Sequence, residues 1–251
     1  TDCDHLNYLK YKINMKNILQ IFLISFSLIG CSSMDFSTVS PSSTQADKIL
    51  ALGLTHKENL MEAQKLSDPD LASAVLKELD NRLQESNNKI IDIENATKYA
   101  SNVIILDNNK KFIGPTISNS RKRGLLDDFD YEEYFLQGVK NDNNNLIQHQ
   151  LNLSITYSSN NRRNYSSASL CDKWAGCDNG NDLDIVLISA NASGCESSSC
   201  NYNEIVKLNL ADDLLKKHME TGLSINFNSK IFKNKIKLSP AYIMGYLKIA
   251  N

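Results

Sequence analysis

The chain has 251 residues, 41% of them hydrophobic, and a formal net charge of −2. That is enough apolar material for one folded domain with an appendage, and the charge excludes the basic field that nucleic acid or an anionic membrane surface would require. No G-x-S-x-G, H-E-x-x-H or glycine-rich phosphate loop occurs, so no motif directs the reading toward one reaction class.

Residues 1–14, with Cys3 and His5, have neither signal nor core character and read as an over-extended reading frame ahead of Met15. Lys16 then precedes an apolar run from Ile18 to Leu28, broken only by Gln20, Ser25 and Ser27. A basic flank and an apolar core of this length match a secretory signal over residues 15–30, and the run is too short to span a bilayer. Its ending, Leu28, Ile29, Gly30 and Cys31, resembles the lipobox of bacterial lipoproteins. The resemblance implies that Cys31 carries a diacylglycerol, that cleavage falls after Gly30, and that the new amino terminus is acylated as well, a two-signal anchor that holds stably. Ser32 stands where an aspartate would retain a lipoprotein at the inner membrane, so the expected location is the outer membrane, facing the periplasm. The competing reading makes the run a buried helix and Cys31 a core cysteine. Removing residues 1–30 takes away Lys10, Lys12 and Lys16 against Asp2 and Asp4, so the mature chain would carry −3.

Residues 31–45, rich in Ser and Thr with Pro41, read as a flexible tether. A helical segment is expected over 46–90. Its first part, Asp47 to Leu66, is imperfectly amphipathic and weakened by Gly53. Its second starts at Asp68 and Pro69, and Leu71, Val75, Leu79 and Leu83 recur every four residues, which predicts a packing helix to about Ser86.

From residue 98 to 251 the pattern turns to strands. Asn102 to Leu106 and Lys110 to Ile117 flank the turn residues Asp107, Asn108 and Asn109. His149, Leu151, Leu153, Ile155 and Tyr157 alternate with polar residues, which predicts a strand with one buried face. Asn164 to Leu170 is a candidate partner for it across Ser158 to Arg163. Leu183 to Ala190 reads as a central strand, and Asn203 to Leu210 as its antiparallel partner. A short helix opens at Asp212 and stops at Gly222. Leu223, Ile225 and Phe227 alternate in the next strand, and Ile236 and Leu238 mark its hairpin partner, with Lys233 and Asn234 in the turn. Ser239 and Pro240 start a last helix with the stripe Tyr242, Ile243, Tyr246 and Leu247. The fold class expected is α+β: a helical segment, then an antiparallel sheet or sandwich with short C-terminal helices. The order of "LNLSITYSS", a two-cysteine loop and "SPAYIMGYL" over about residues 146–249 resembles a type of uncharacterised proteobacterial periplasmic lipoprotein. That resemblance implies location and fold and brings no activity.

Cys171, Cys177, Cys195 and Cys200 form an even set, read in an oxidising compartment as two disulfides with three connectivities open; the local pairing Cys171–Cys177 and Cys195–Cys200 is favoured. Their intervals do not match zinc knuckles. Asp178 to Asp184, DNGNDLD, offers carboxylates to calcium but lacks the EF-hand glycine and distal glutamate, so a solvated turn is preferred, and no cofactor or metal is assigned. His56, His149 and His218 are the remaining histidines; His149 falls on the apolar face of its strand, and His218 near a helix end. Trp174, in CDKWAGC, is the binding candidate, either displayed on a closed loop or folded back over the sheet. Two functions follow. The first is a non-enzymatic module that binds an envelope protein or glycan; the alternative is a periplasmic hydrolase assembled from His149 or His218 and a nearby carboxylate.

Overall fold

The computed structural model describes residues 40–108, 110–123, 128–142, 146–171, 182–196 and 199–250. Residues 1–39, which hold the expected signal, Cys31 and most of the expected tether, lie outside that set, as do Trp174, Cys177 and the first part of DNGNDLD. The chain divides into two compact units between Glu78 and Leu79. No described helix is long and apolar enough to cross a membrane.

The first unit is helical. Helix α1 (Pro41–Leu50) starts inside the stretch read as tether, because Ser40 caps it through the Ser43 amide and Pro41 fits its first turn. Gly53, at φ 67°, ends the first run, so Asp47 to Leu66 is two helices instead of one poor one. Thr55 and Glu58 close a capping box on α2 (His56–Gln64). Helix α3 (Pro69–Ser101) begins as expected but continues well past Ser86, into the second unit. Ile90 and Ile93 keep the apolar spacing there but are exposed, and what sustains the end of the helix is packing of small residues. Ala96 and Ala100 are buried, and a Cβ placed on Gly245 would lie 2.5 Å from the Ala96 carbonyl oxygen and 2.6 Å from the Tyr99 Cβ.

Among the described residues the second unit holds ten strands in one antiparallel sheet. They are β1 (Ile104–Leu106), β2 (Lys111–Ile113), β3 (Ile117–Arg123), β4 (Asp128–Lys140), β5 (Ile147–Ser159), β6 (Ser167–Cys171), β7 (Asp182–Glu196), β8 (Ser199–Leu210), β9 (Leu223–Asn228) and β10 (Lys233–Leu238). Their order is β1-β2-β4-β5-β8-β7-β6-β9-β10, with β3 on β4 beside β2. A helical segment followed by an antiparallel sheet is the α+β arrangement expected, and the sheet is continuous where a two-sheet sandwich was the alternative. Several local expectations differ. Residues 164–170 do not pair with β5; β6 pairs with β7 and β9, while β5 lies between β4 and β8. Lys233 and Asn234 belong to β10, with Asn234 buried, and the turn falls at Ser229 to Phe232. Strand β7 is central in the order, yet Val186, Leu187 and Ile188 are exposed around a bulge. Strands β3 and β4 have no counterpart in the sequence reading.

The sheet curls until its ends meet through side chains. The Tyr134 hydroxyl donates to the Lys237 carbonyl at 3.0 Å, Arg121 donates to the Lys235 carbonyl at 3.0 Å, and Asn234 Nδ2 donates to Glu132 Oε1 at 2.6 Å. The enclosed core holds Leu136, Leu151, Leu153, Ile155, Val206, Leu208, Ile225 and Phe227. Helix α4 (Asp212–Lys217) adds Leu215, and helix α5 (Pro240–Ile249), capped by Ser239, adds the whole expected stripe of Tyr242, Ile243, Tyr246 and Leu247. Where β2 gives way to β3 the Leu136 amide has no strand partner, and it donates to the Tyr242 hydroxyl at 2.9 Å. Gly245 is the contact point between α5 and the end of α3. Gly245→Ala is expected to cost about 1–3 kcal/mol by forcing these backbones apart, and urea unfolding against Met244→Ala, one position along the helix, checks it.

Candidate functional site

Three polar features occupy the second unit. The first is His149, which β5 presents inward. Its Nδ1 meets the Tyr246 hydroxyl at 2.9 Å and its Nε2 meets Asp212 Oδ1 at 3.2 Å, while Asp212 also pairs with Lys216 at 2.7 Å. Gly138 makes the arrangement possible, since a Cβ there would fall 2.5 Å from the Tyr246 hydroxyl. The imidazole side chain is 0% exposed. Burial pulls its pKa below the ordinary histidine value, against the pull of the Asp212 carboxylate, which favours the neutral ring. Burial pushes the Tyr246 phenol well up. The carboxylate beside His149 matches the chemistry expected of a hydrolase base, but both ring nitrogens are engaged and no face of the ring is open to a substrate. His218 is elsewhere: its Nδ1 lies 3.2 Å from the Gly222 carbonyl and 3.3 Å from Thr221 Oγ1, where it caps the end of α4. These two histidines do not converge.

The second feature is a buried charge network that sequence reasoning missed. Arg163 is 3% exposed and forks onto Asp130, Nη1 to Oδ2 at 2.8 Å and Nη2 to Oδ1 at 2.7 Å. Its Nη1 also reaches the Tyr165 hydroxyl at 3.0 Å, and its guanidinium lies 3.9 Å from the centre of the Tyr157 ring and 4.5 Å from that of Phe232. Burial draws the Arg163 pKa down, and the bonds to Asp130 and Tyr165 more than offset it, so the net shift is upward. Glu204 is fully buried and accepts from the Tyr157 hydroxyl and from the Asn164 and Tyr165 amides at 3.2 and 3.4 Å. Asn164, at φ 55°, makes the turn that aims both amides at it. Asn234 bridges the network, accepting from Tyr165 and donating to Glu132. Burial pushes the Tyr165 phenol up to about 12. One signal was available: Asp130 and Glu132 share phase with Tyr134 and Leu136, and Glu204 shares phase with Val206 and Leu208, so carboxylates stand at core positions.

The third feature is a cleft of ≈ 360 Å³ lined by Ser158, Ser159, Asn160, Asn161, Arg162, Ser199, Ile231 and Phe232. Its walls come from the end of β5, the tip of the β7–β8 hairpin and the β9–β10 turn. Arg162 is held by Nε donation to Asn164 Oδ1 at 2.6 Å and stays 38% exposed. Phe232 packs Arg163 behind it, so the cleft backs onto the charge network. The disulfide Cys195–Cys200, with Cα atoms 4.1 Å apart, closes the hairpin tip, and Cys200 pairs in register with Ser159. Cys171 is disulfide-bonded too, and its expected partner Cys177 is outside the described residues. Among the described residues no cluster of His, Cys, Asp and Glu could hold a metal ion. Comparison with family models, curated proteins and solved structures finds no match.

Proposed function

We propose that the chain is an outer-membrane lipoprotein, anchored at Cys31 and facing the periplasm, whose sheet domain is a non-catalytic module that binds an envelope glycan. The observation that carries the binding reading is the cleft formed by residues 158–162 with Ser199, Ile231 and Phe232. Its volume is at the small end of the ~300–1,000 Å³ of ligand pockets. Hydroxyls and amides of Ser158, Ser159, Asn160 and Asn161 suit sugar hydroxyls, the Phe232 ring suits a sugar's apolar face, and the exposed fork of Arg162 suits a carboxylate. The sealed position of His149 weighs against hydrolysis.

Titration with soluble glycan–peptide fragments of the cell wall, followed by chemical shifts, should move the amides of Asn160, Asn161 and Ser199. Arg162→Ala should weaken that binding about tenfold, the ~1.4 kcal/mol of a modest charge-assisted contact, measured on the folded fraction because Arg162 Nε also stands 3.9 Å from the buried Glu204 carboxylate and its loss lowers the thermal midpoint as well. No saturable shift at these amides would sink the glycan assignment. The anchor is tested separately: Cys31→Ala should leave an uncleaved precursor or free the chain from the membrane fraction, and a variant still matured and membrane-bound would reject it.

A further inference from the structure

The apolar stripe that buries Val75 and Leu79 in the first turns of helix α3 continues along the helix, and among the described residues nothing covers it between Leu83 and Ile93. Leu79, Leu83, Ser86, Ile90, Ile93, Thr97 and Ala100 follow one another at alternating steps of four and three, the spacing of a coiled-coil seam. Leu79 and Ala100 at the two ends are buried, but Leu83 is 40%, Ile90 54% and Ile93 57% exposed, and every residue from Leu83 to Ile91 faces solvent. The face that packs on α5 runs through Ala96, Tyr99 and Ala100. At about 100° per residue the middle of the seam points roughly 105° away from it, which leaves that stretch open. A helix stretch bare on all sides has little to hold it in water, since most helical stability in proteins comes from packing of an apolar face.

We infer that this seam pairs with the same seam of a second copy of the chain, as a short parallel two-stranded coiled coil. The charges flanking the seam select both partner and direction. With Leu83 and Ile90 as a positions, the preceding g positions are Arg82 and Lys89 and the e positions are Asp80, Asn87 and Glu94, so one charged pair, Lys89 with Glu94, forms on each side of the seam. Charged g residues are basic and charged e residues are acidic. A parallel pair sets g against e across the seam, joining Lys89 of one copy to Glu94 of the other, whereas an antiparallel pair sets g against g and e against e, like with like. Ser86, small and polar at a d position, faces its own copy at the centre. Lys89 now meets Glu220 at 3.5 Å, an exposed pair that the intermolecular one would replace. The open seam presents only Leu83, Ile90 and Ile93 as exposed large apolar side chains, so the pair is weak in dilute solution and a trapping assay is needed. The pairing depends neither on the cleft nor on the anchor.

Oxidative cross-linking of the full chain tests it. Ser86→Cys should give a covalent homodimer at least fivefold more readily than Glu85→Cys, whose exposed side chain points away from the seam. Adding Ile90→Glu to Ser86→Cys should abolish the product. Lys89→Glu should reduce it and Lys89→Glu with Glu94→Lys should restore it, a rescue that loss of folding or of the Glu220 contact would not give. Equal yields at Ser86 and Glu85, failure of the charge swap to rescue, or capture of a different protein in place of the second copy would each overturn the homodimer.

Discussion

Arg163→Met is expected to destabilise the sheet domain by about 3–5 kcal/mol, the cost of leaving a buried carboxylate without its counter-ion. At ~2–4 °C per kcal/mol for a domain of this size, the thermal midpoint should fall roughly 6–20 °C. Asp130 would lose both prongs of the fork, the Tyr165 hydroxyl would lose a donor, and the Tyr157 and Phe232 rings would lose the cation between them. The double variant Arg163→Met with Asp130→Leu should recover much of the loss, because neither charge is then stranded, and the difference between the two measures the coupling. Arg163→Lys should fall between them, since a single ammonium cannot reproduce the fork. A midpoint for Arg163→Met within 2 °C of the parent would show that the network carries no net stability. Phe232 also lines the cleft, so the same variant should loosen one cleft wall, and its ligand affinity should be compared only on the folded fraction.

This network also explains where the sequence was opaque. Strand β5 was legible because Leu151, Leu153, Ile155 and Tyr157 alternate with polar residues, and α5 because Ser239, Pro240 and four large residues at helical spacing agree on one face. Strand β4 was not, because its inward positions open with Asp130 and Glu132 while Tyr131 is 54% exposed, inverting the usual pattern. Strand β3 pairs only with β4, and its sequence, ISNSRKR, has a single large apolar residue. The partner of β6 was missed for a different reason: the turn Ser158 to Arg163 looks like a hairpin connection, but Arg163 is drawn into the core by Asp130, and the chain leaves β5 to cross toward β9. Of the candidate site, the Cys195–Cys200 bridge was legible because both cysteines lie between two strands expected to pair. The cleft was not, since its residues come from three separate turns and share no motif.

His149 should make the protein less stable as the pH falls through the histidine range. Its folded-state pKa lies below the ordinary value, so over the window beneath about 6.5 the unfolded chain binds a proton that the folded chain does not, and stability drops with pH until the depressed folded pKa is passed. The cause is burial between β5, α4 and α5: the charged ring would gain the Asp212 carboxylate at 3.2 Å and stand next to Lys216, but would lose all contact with water. Asp212 responds at lower pH and with the same sign. Burial raises its pKa, the bonds from Lys216 and His149 lower it by more, and the net depression adds stability that is lost only as the pH falls through the carboxylate range. The two windows therefore separate. Urea unfolding at pH 7.5, 6.5 and 5.5 should show a decline for the parent chain that is absent from His149→Gln, which keeps an acceptor for the Tyr246 hydroxyl and does not titrate. Were the ring instead held as a cation by Asp212, the parent would gain stability over the His149→Gln variant as the pH fell, and that opposite slope would reject the neutral, sealed histidine on which the non-catalytic reading leans.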